Sequence, residues 1–195
     1  MNLNDEKYGR FALVREMMET PGIIRSFDQN VTERFSGRIR TKKGLFLTGE
    51  GSSRLFPAKR AIYKSLSKNF LMPVITEGCT QAREYDLSDY AVFAASNSGQ
   101  TKEVIRLVNV LRQKGHDMIF GLTANRGTRL EEFAGDTHIL TCGKEDAVAA
   151  TKSVVEQALF YDALLRNIRG EKMNGLKELS EKTQQVLTAP IDPAI

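Results

Sequence analysis

Cysteine and histidine are scarce: only Cys79 and Cys142, and only His116 and His138, occur among the 195 residues. Two thiols cannot build a disulfide framework or a zinc centre by themselves. Two imidazoles exclude a histidine-rich metal site. The thiols read as reduced, which predicts a cytoplasmic protein. No apolar stretch reaches the length that spans a bilayer, so no membrane partner is expected. The start, Met1 to Arg10, is polar and lacks the apolar region of a signal peptide. Charge of one sign is also scarce: 28 Lys and Arg against 24 Asp and Glu leave a net charge of +4. The signs are mixed, no basic arm results, and nucleic acid is not an expected partner. Internal repeats and low-complexity tracts are absent.

What remains is a globular composition, 41% hydrophobic and 27% charged. The length suits one domain with a helical extension. The first forty residues carry helical periodicity. One helix spans Phe11 to Met18, and Pro21 is expected to break it. A second is expected from Ile23 through Phe35, because Ile23, Ile24, Phe27, Val31 and Phe35 fall at spacings of three and four.

The pattern then changes to short apolar runs ending in glycine or polar residues. Strands are expected at 44–49, 73–76, 91–95, 118–123 and 137–142. Helices are expected at 54–69, 100–115, 128–133, 147–168 and 172–187. Thr128 caps the third of these, with Glu131 three residues on. Strands alternating with helices predict βαβ units, hence an α/β three-layer αβα sandwich on a five-stranded parallel sheet. The chain reads as a single unit over 1–195. Helices occupy 1–40, the αβα core 44–168, and a C-terminal helix 171–195.

In an open parallel sheet, ligands bind beyond the carboxyl ends of the strands. The loop Ser96-Asn97-Ser98-Gly99-Gln100-Thr101 follows the third strand and opens a helix. Hydroxyl donors, free backbone N–H groups and the helix dipole together suit a phosphate. Gly99 allows close backbone approach. Ser, Asn and Gly in this position also make ordinary turns and caps. A second hydroxyl pair, Ser52 and Ser53, follows the first strand and favours the anion-binding reading. The Walker lysine pattern is missing, and Gly49-Glu50-Gly51 completes no dinucleotide fingerprint. Neither a nucleoside triphosphate nor a nicotinamide cofactor is expected.

Four stretches together resemble the sugar isomerase (SIS) domain, a flavodoxin-like fold, and most of all the first SIS half of glucosamine-6-phosphate synthase. Met17-Met18-Glu19-Thr20-Pro21 with Ile23-Ile24 resembles "EIxEQP…I". Glu50-Gly51-Ser52-Ser53 resembles "CGTS", and Ser96 to Thr101 resembles "SQSGET". Val148-Ala149-Ala150-Thr151-Lys152 resembles "VASTK". The closing Leu176-Lys177-Glu178-Leu179 resembles the helix that leads to the family's second half.

The resemblance implies that Ser96, Ser98 and Thr101 hold a sugar phosphate, with Ser53 reaching it from the first loop. Asn97 stands for the family's glutamine and would contact phosphate or sugar. Val148, through its backbone, and Ala150 would contact the sugar. Ala150 replaces a serine, Gln100 a glutamate, and Glu50 a cysteine. In two-SIS enzymes the base glutamate and a nearby lysine lie in the second half, as does the ring-opening histidine. Candidates for catalysis inside this chain are Glu77, Glu84 and Lys152. Both histidines are expected to be structural.

The resemblance implies aldose–ketose isomerisation of a phosphosugar such as glucosamine 6-phosphate or fructose 6-phosphate. That chemistry needs a base and a phosphate anchor, and no metal or cofactor. The site would be completed in a homo-oligomer, with a closed dimer the commonest solution, or by a separately encoded second SIS chain. A non-catalytic phosphosugar sensor is the alternative. Deamination or deglycation of an amino-sugar phosphate is a third.

Overall fold

The computed structural model describes residues 6–190; residues 1–5 and 191–195, with Pro193, lie outside the described residues. Five short strands form the centre: β1 (Gly44–Gly49), β2 (Val74–Gly78), β3 (Tyr90–Ala95), β4 (Ile119–Thr123) and β5 (Asp136–Ile139). All pair in parallel in the order β2-β1-β3-β4-β5. Side-chain alternation along each strand feeds two separate cores. Leu45, Leu47, Phe93 and Phe120 face one core; Phe46, Val92, Ala94 and Ile119 face the other.

The first core is closed by α3 (Glu33–Ile39), α4 (Ser52–Ser67) and α8 (Lys152–Arg169). The second is closed by α5 (Cys79–Ala82), α6 (Lys102–Gln113) and α7 (Arg129–Phe133). The result is the three-layer αβα sandwich expected from the sequence. At the centre of the first core, Phe35 meets Phe93, Phe120 and Phe160 edge-on, with ring centroids 5.9, 5.2 and 5.6 Å apart. Each such pair adds about 0.5–1.5 kcal/mol beyond its buried area.

The flanks form a further pair on the α8 side. A single turn, α1 (Glu6–Gly9), precedes α2 (Ala12–Ser26); α2 packs on α8, and α9 (Leu176–Thr188) packs on α2. Pro21 does not break α2. Its ring removes one backbone donor, but Pro21 is buried and its carbonyl accepts a 2.7 Å hydrogen bond from Ser180 Oγ on α9. Packing outweighs the missing bond.

The expected second helix is also divided. α2 ends at Ser26, and Asp28 Oδ1 accepts the N–H of Asn30 at 2.9 Å, which starts a 3₁₀ turn over Gln29–Thr32. This local side-chain turn competes with the helix. Two boundaries near the fifth strand also differ. β5 stops at Ile139, two residues before Glu156 takes the N–H groups of Thr141 and Cys142, and α8 starts at Lys152 rather than at Ala147.

Candidate functional site

The strand order reverses between β1 and β3. Their registers align Gly49 with Ala95, so the loops after both strands leave side by side. α4 then turns to one face of the sheet and α6 to the other, which opens a crevice. Glycine is required at the departure: a Cβ on Gly49 would meet Ala95 O at 2.7 Å. The amino ends of α4, α6 and α8 all lie at this edge of the sheet.

The β3 loop is braced internally. Ser96 Oγ lies 2.7 Å from Thr101 Oγ1, and Gly99 N–H donates to Ser96 O at 3.0 Å. Ser98 Oγ accepts the N–H of Gln100 at 3.2 Å and is exposed. Asn97 O is an anchor that accepts from Ala124 N, Thr123 Oγ1 and Asn125 Nδ2 at 3.0, 3.0 and 2.9 Å. Gly99 takes φ +63°, a conformation that favours glycine. Ser53 is buried in the first turn of α4. Ser53, Ser96, Ser98 and Thr101 therefore belong to adjacent loops at one edge. Val148 is fully exposed at the tip of the segment before α8, and Ala150 is half-buried beside Thr151.

The three acid–base candidates separate. Glu84 lies at the opposite, amino-terminal end of the sheet. It borders a cavity of about 620 Å³ with Lys42, Asp86, His116 and Asp117. Glu77 is the next-to-last residue of β2, at the crevice end of the sheet; its carboxylate accepts Gly78 N–H at 2.8 Å and sits 3.7 Å from Arg54 Nη1. Lys152 donates to Glu19 Oε2 at 2.7 Å, and its side chain is 9% exposed. Burial disfavours its charge, but the hydrogen bond and charge of Glu19, with Glu16, hold its pKa above the usual lysine value. It is a poor base. Glu50 accepts Cys79 N–H at 3.0 Å and so ties the β1 loop to the end of β2.

His116 Nδ1 accepts Met118 N–H at 3.2 Å while Nε2 lies 2.8 Å from Leu87 O. His138 stacks on Phe160 at 5.0 Å. Among the described residues, no group of three or more His, Cys, Asp or Glu side chains could hold a metal ion.

Three carboxylates organise this edge without any mark in the sequence motifs. Glu145 binds Asn97 Nδ2 and Ser153 Oγ, and accepts Thr151 N–H at 2.7 Å and Ser153 N–H at 3.4 Å. It joins the β3 loop to the amino end of α8. Glu156, 1% exposed, accepts Thr141 N–H at 2.7 Å, Thr141 Oγ1 at 2.9 Å and Cys142 N–H at 2.7 Å. Glu16 on α2 accepts the N–H groups of Asp146 and Ala147 at 2.5 and 3.2 Å. The signal for Glu156 was an acidic residue on the apolar stripe of a helix. For Glu145 it was a carboxylate just ahead of a helix start.

The topology and the hydroxyl-rich crevice define an α/β protein with a cluster of hydroxyl side chains at its switch point. The SIS domain family matches residues 38–166, well over half of the sequence, and the chain belongs to that family. No curated protein matches the sequence. Among solved structures, Escherichia coli tagatose-6-phosphate ketose/aldose isomerase is similar at TM-score 0.77 and 15% identity, over 92% of this chain and 54% of that one. The C-terminal domain of glucosamine-fructose-6-phosphate aminotransferase from Francisella tularensis is similar at TM-score 0.64 and 15% identity, covering 94% and 55%. The Vibrio vulnificus NanR protein, complexed with ManNAc-6P, gives 0.58 and 15%, covering 88% and 64%. The chain spans about half the length of the first two.

Proposed function

We propose that the chain binds a sugar phosphate in the crevice between the β1 and β3 loops and forms one unit of an aldose–ketose phosphosugar isomerase. The observation that carries this is the placement of Ser53, Ser96, Ser98 and Thr101 on adjacent loops at the amino ends of α4 and α6. Hydroxyl and backbone donors there suit a phosphate dianion. The substrate is of the glucosamine 6-phosphate or fructose 6-phosphate kind. From the aldose side isomerisation removes the C2 proton and returns a proton to C1, and from the ketose side it runs in reverse, through an enediol or, for a 2-amino sugar, an enaminol. Glu77 is the only one of the three candidates that lies at the crevice end of the sheet without being locked to a lysine. The remaining groups come from a second SIS unit, either another copy or a separately encoded chain.

A phosphosugar sensor is the second reading. It is favoured by the engagement of Glu50, Glu77 and Glu145, each of which accepts a backbone N–H.

Thermal unfolding with fructose 6-phosphate and glucosamine 6-phosphate tests the binding. Ligand at about 100 times its Kd should add about 2.7 kcal/mol, and Ser96→Ala/Ser98→Ala should abolish the gain. A coupled isomerase assay then separates the readings. Turnover lost in Glu77→Gln supports the enzyme; stabilisation without turnover supports the sensor. No shift with either sugar phosphate removes both.

A further inference from the structure

α4 has two apolar faces. Ser53, Pro57, Ala58, Ala61 and Ser65 are buried inward. Phe56, Tyr63 and Leu66, at i, i+7 and i+10, point outward and are 65, 65 and 77% exposed. Leu71, just past the helix, is 94% exposed. Single exposed apolar side chains are ordinary, whereas a stripe along one helix marks an interaction surface.

The charge on this face is one-sided. From Gly51 to Thr76 the sequence has no Asp or Glu, but contains Arg54, Lys59, Arg60, Lys64 and Lys68. Arg54 pairs with Glu77. Lys59, Arg60, Lys64 and Lys68 make no ion pair among the described residues. Beside the helix runs β2, an edge strand of the sheet, with Ile75 exposed at 36%. An edge strand presents unpaired backbone N–H and C=O groups.

We propose that the outward face of α4 is a docking surface for a different protein chain bearing an acidic, apolar segment. Charge complementarity selects this occupant. A second copy related by a two-fold axis through α4 would set these cations against themselves. A bilayer cannot satisfy the backbone groups of the β2 edge, and a nucleic acid offers little to Phe56, Leu66 and Leu71. The surface starts one turn from Ser53, so a partner seated on it borders the crevice. The docking does not depend on which ligand the crevice holds.

The test uses the full chain and two fluorescein-labelled amphipathic peptides, one of Glu and Leu and one of Lys and Leu, read by anisotropy. The Glu peptide should bind at least about tenfold tighter than the Lys peptide. The double variant Lys59→Glu/Lys64→Glu should reverse that preference, and Phe56→Ser/Tyr63→Ser should abolish binding of either, with circular dichroism unchanged. Sedimentation of the chain alone should show no association that Phe56→Ser/Tyr63→Ser dissolves. Equal or absent binding of the two peptides overturns the proposal. So does a dimer dissolved by that variant, or binding to phosphatidylserine vesicles in place of the Glu peptide.

Discussion

Gly99 sets the shape of the β3 loop. At φ +63° a side chain is strained, and a Cβ there would come within 2.5 Å of the Thr128 Cβ. Gly99→Ala should therefore destabilise by about 2 kcal/mol or more and remove sugar-phosphate binding, as read by urea denaturation and by the ligand-induced shift. His138 carries a pH dependence. Burial holds its pKa below 6.5, opposed by Glu156 and Asp136 and assisted by Arg34. The unfolded chain takes up a proton near 6.5 that the native ring refuses. Stability contributed by the neutral ring is thus complete above that pH and falls away as pH drops below it. In His138→Phe, which keeps the stack on Phe160, urea midpoints should decline less steeply on the acid side. An unchanged acid slope would remove His138 from the account.

The helices owe their boundaries to side chains from elsewhere. α8 begins late because Glu145 and Glu16 hold the segment before it, Glu16 from 130 residues away. Glu156→Ala should leave three donors of Thr141 and Cys142 without their acceptor, at about 3 kcal/mol; Glu156→Gln should recover part of it, measured by chemical denaturation. Glu145→Ala should release Asn97 and lower ligand affinity more than it lowers stability. Equal losses in both would make Glu145 a helix cap alone. At the other flank, Ser180→Ala removes the donor to Pro21 O and should cost about 1 kcal/mol.

Cys79 and Cys142 lie in the two cores on opposite faces of the sheet, and both are free and buried. Burial pushes the Cys79 thiol up to about 12, against the hydrogen bond to Thr48, and pushes Cys142 higher still. Thiolate is the reactive form, so neither should react with iodoacetamide at neutral pH in the native state. If the sheet and its two helix layers unfold as one unit, both thiols should become reactive in the same urea transition. Labelling of one well before the other would show that one face opens alone. α2 and α9 cover each other, although Leu13 on α2 and Leu179 and Val186 on α9 stay exposed. A further exposed apolar stripe lies on α4, within the αβα core.

The parallel sheet was legible because its strands are buried on both faces and read as short apolar runs between helical segments. The β3 loop was legible because Ser, Gly and Thr ahead of a helix carry their chemistry locally. The family resemblance rested on those same local motifs. Other features needed the folded chain. Pro21 stays helical because of Ser180, and α8 starts late because of Glu16 and Glu145. Glu84 and Glu77 are only seven positions apart, yet lie at opposite ends of the sheet. In each of these cases the deciding partner, or the direction of the chain, is set by long-range packing, which local spacing does not encode.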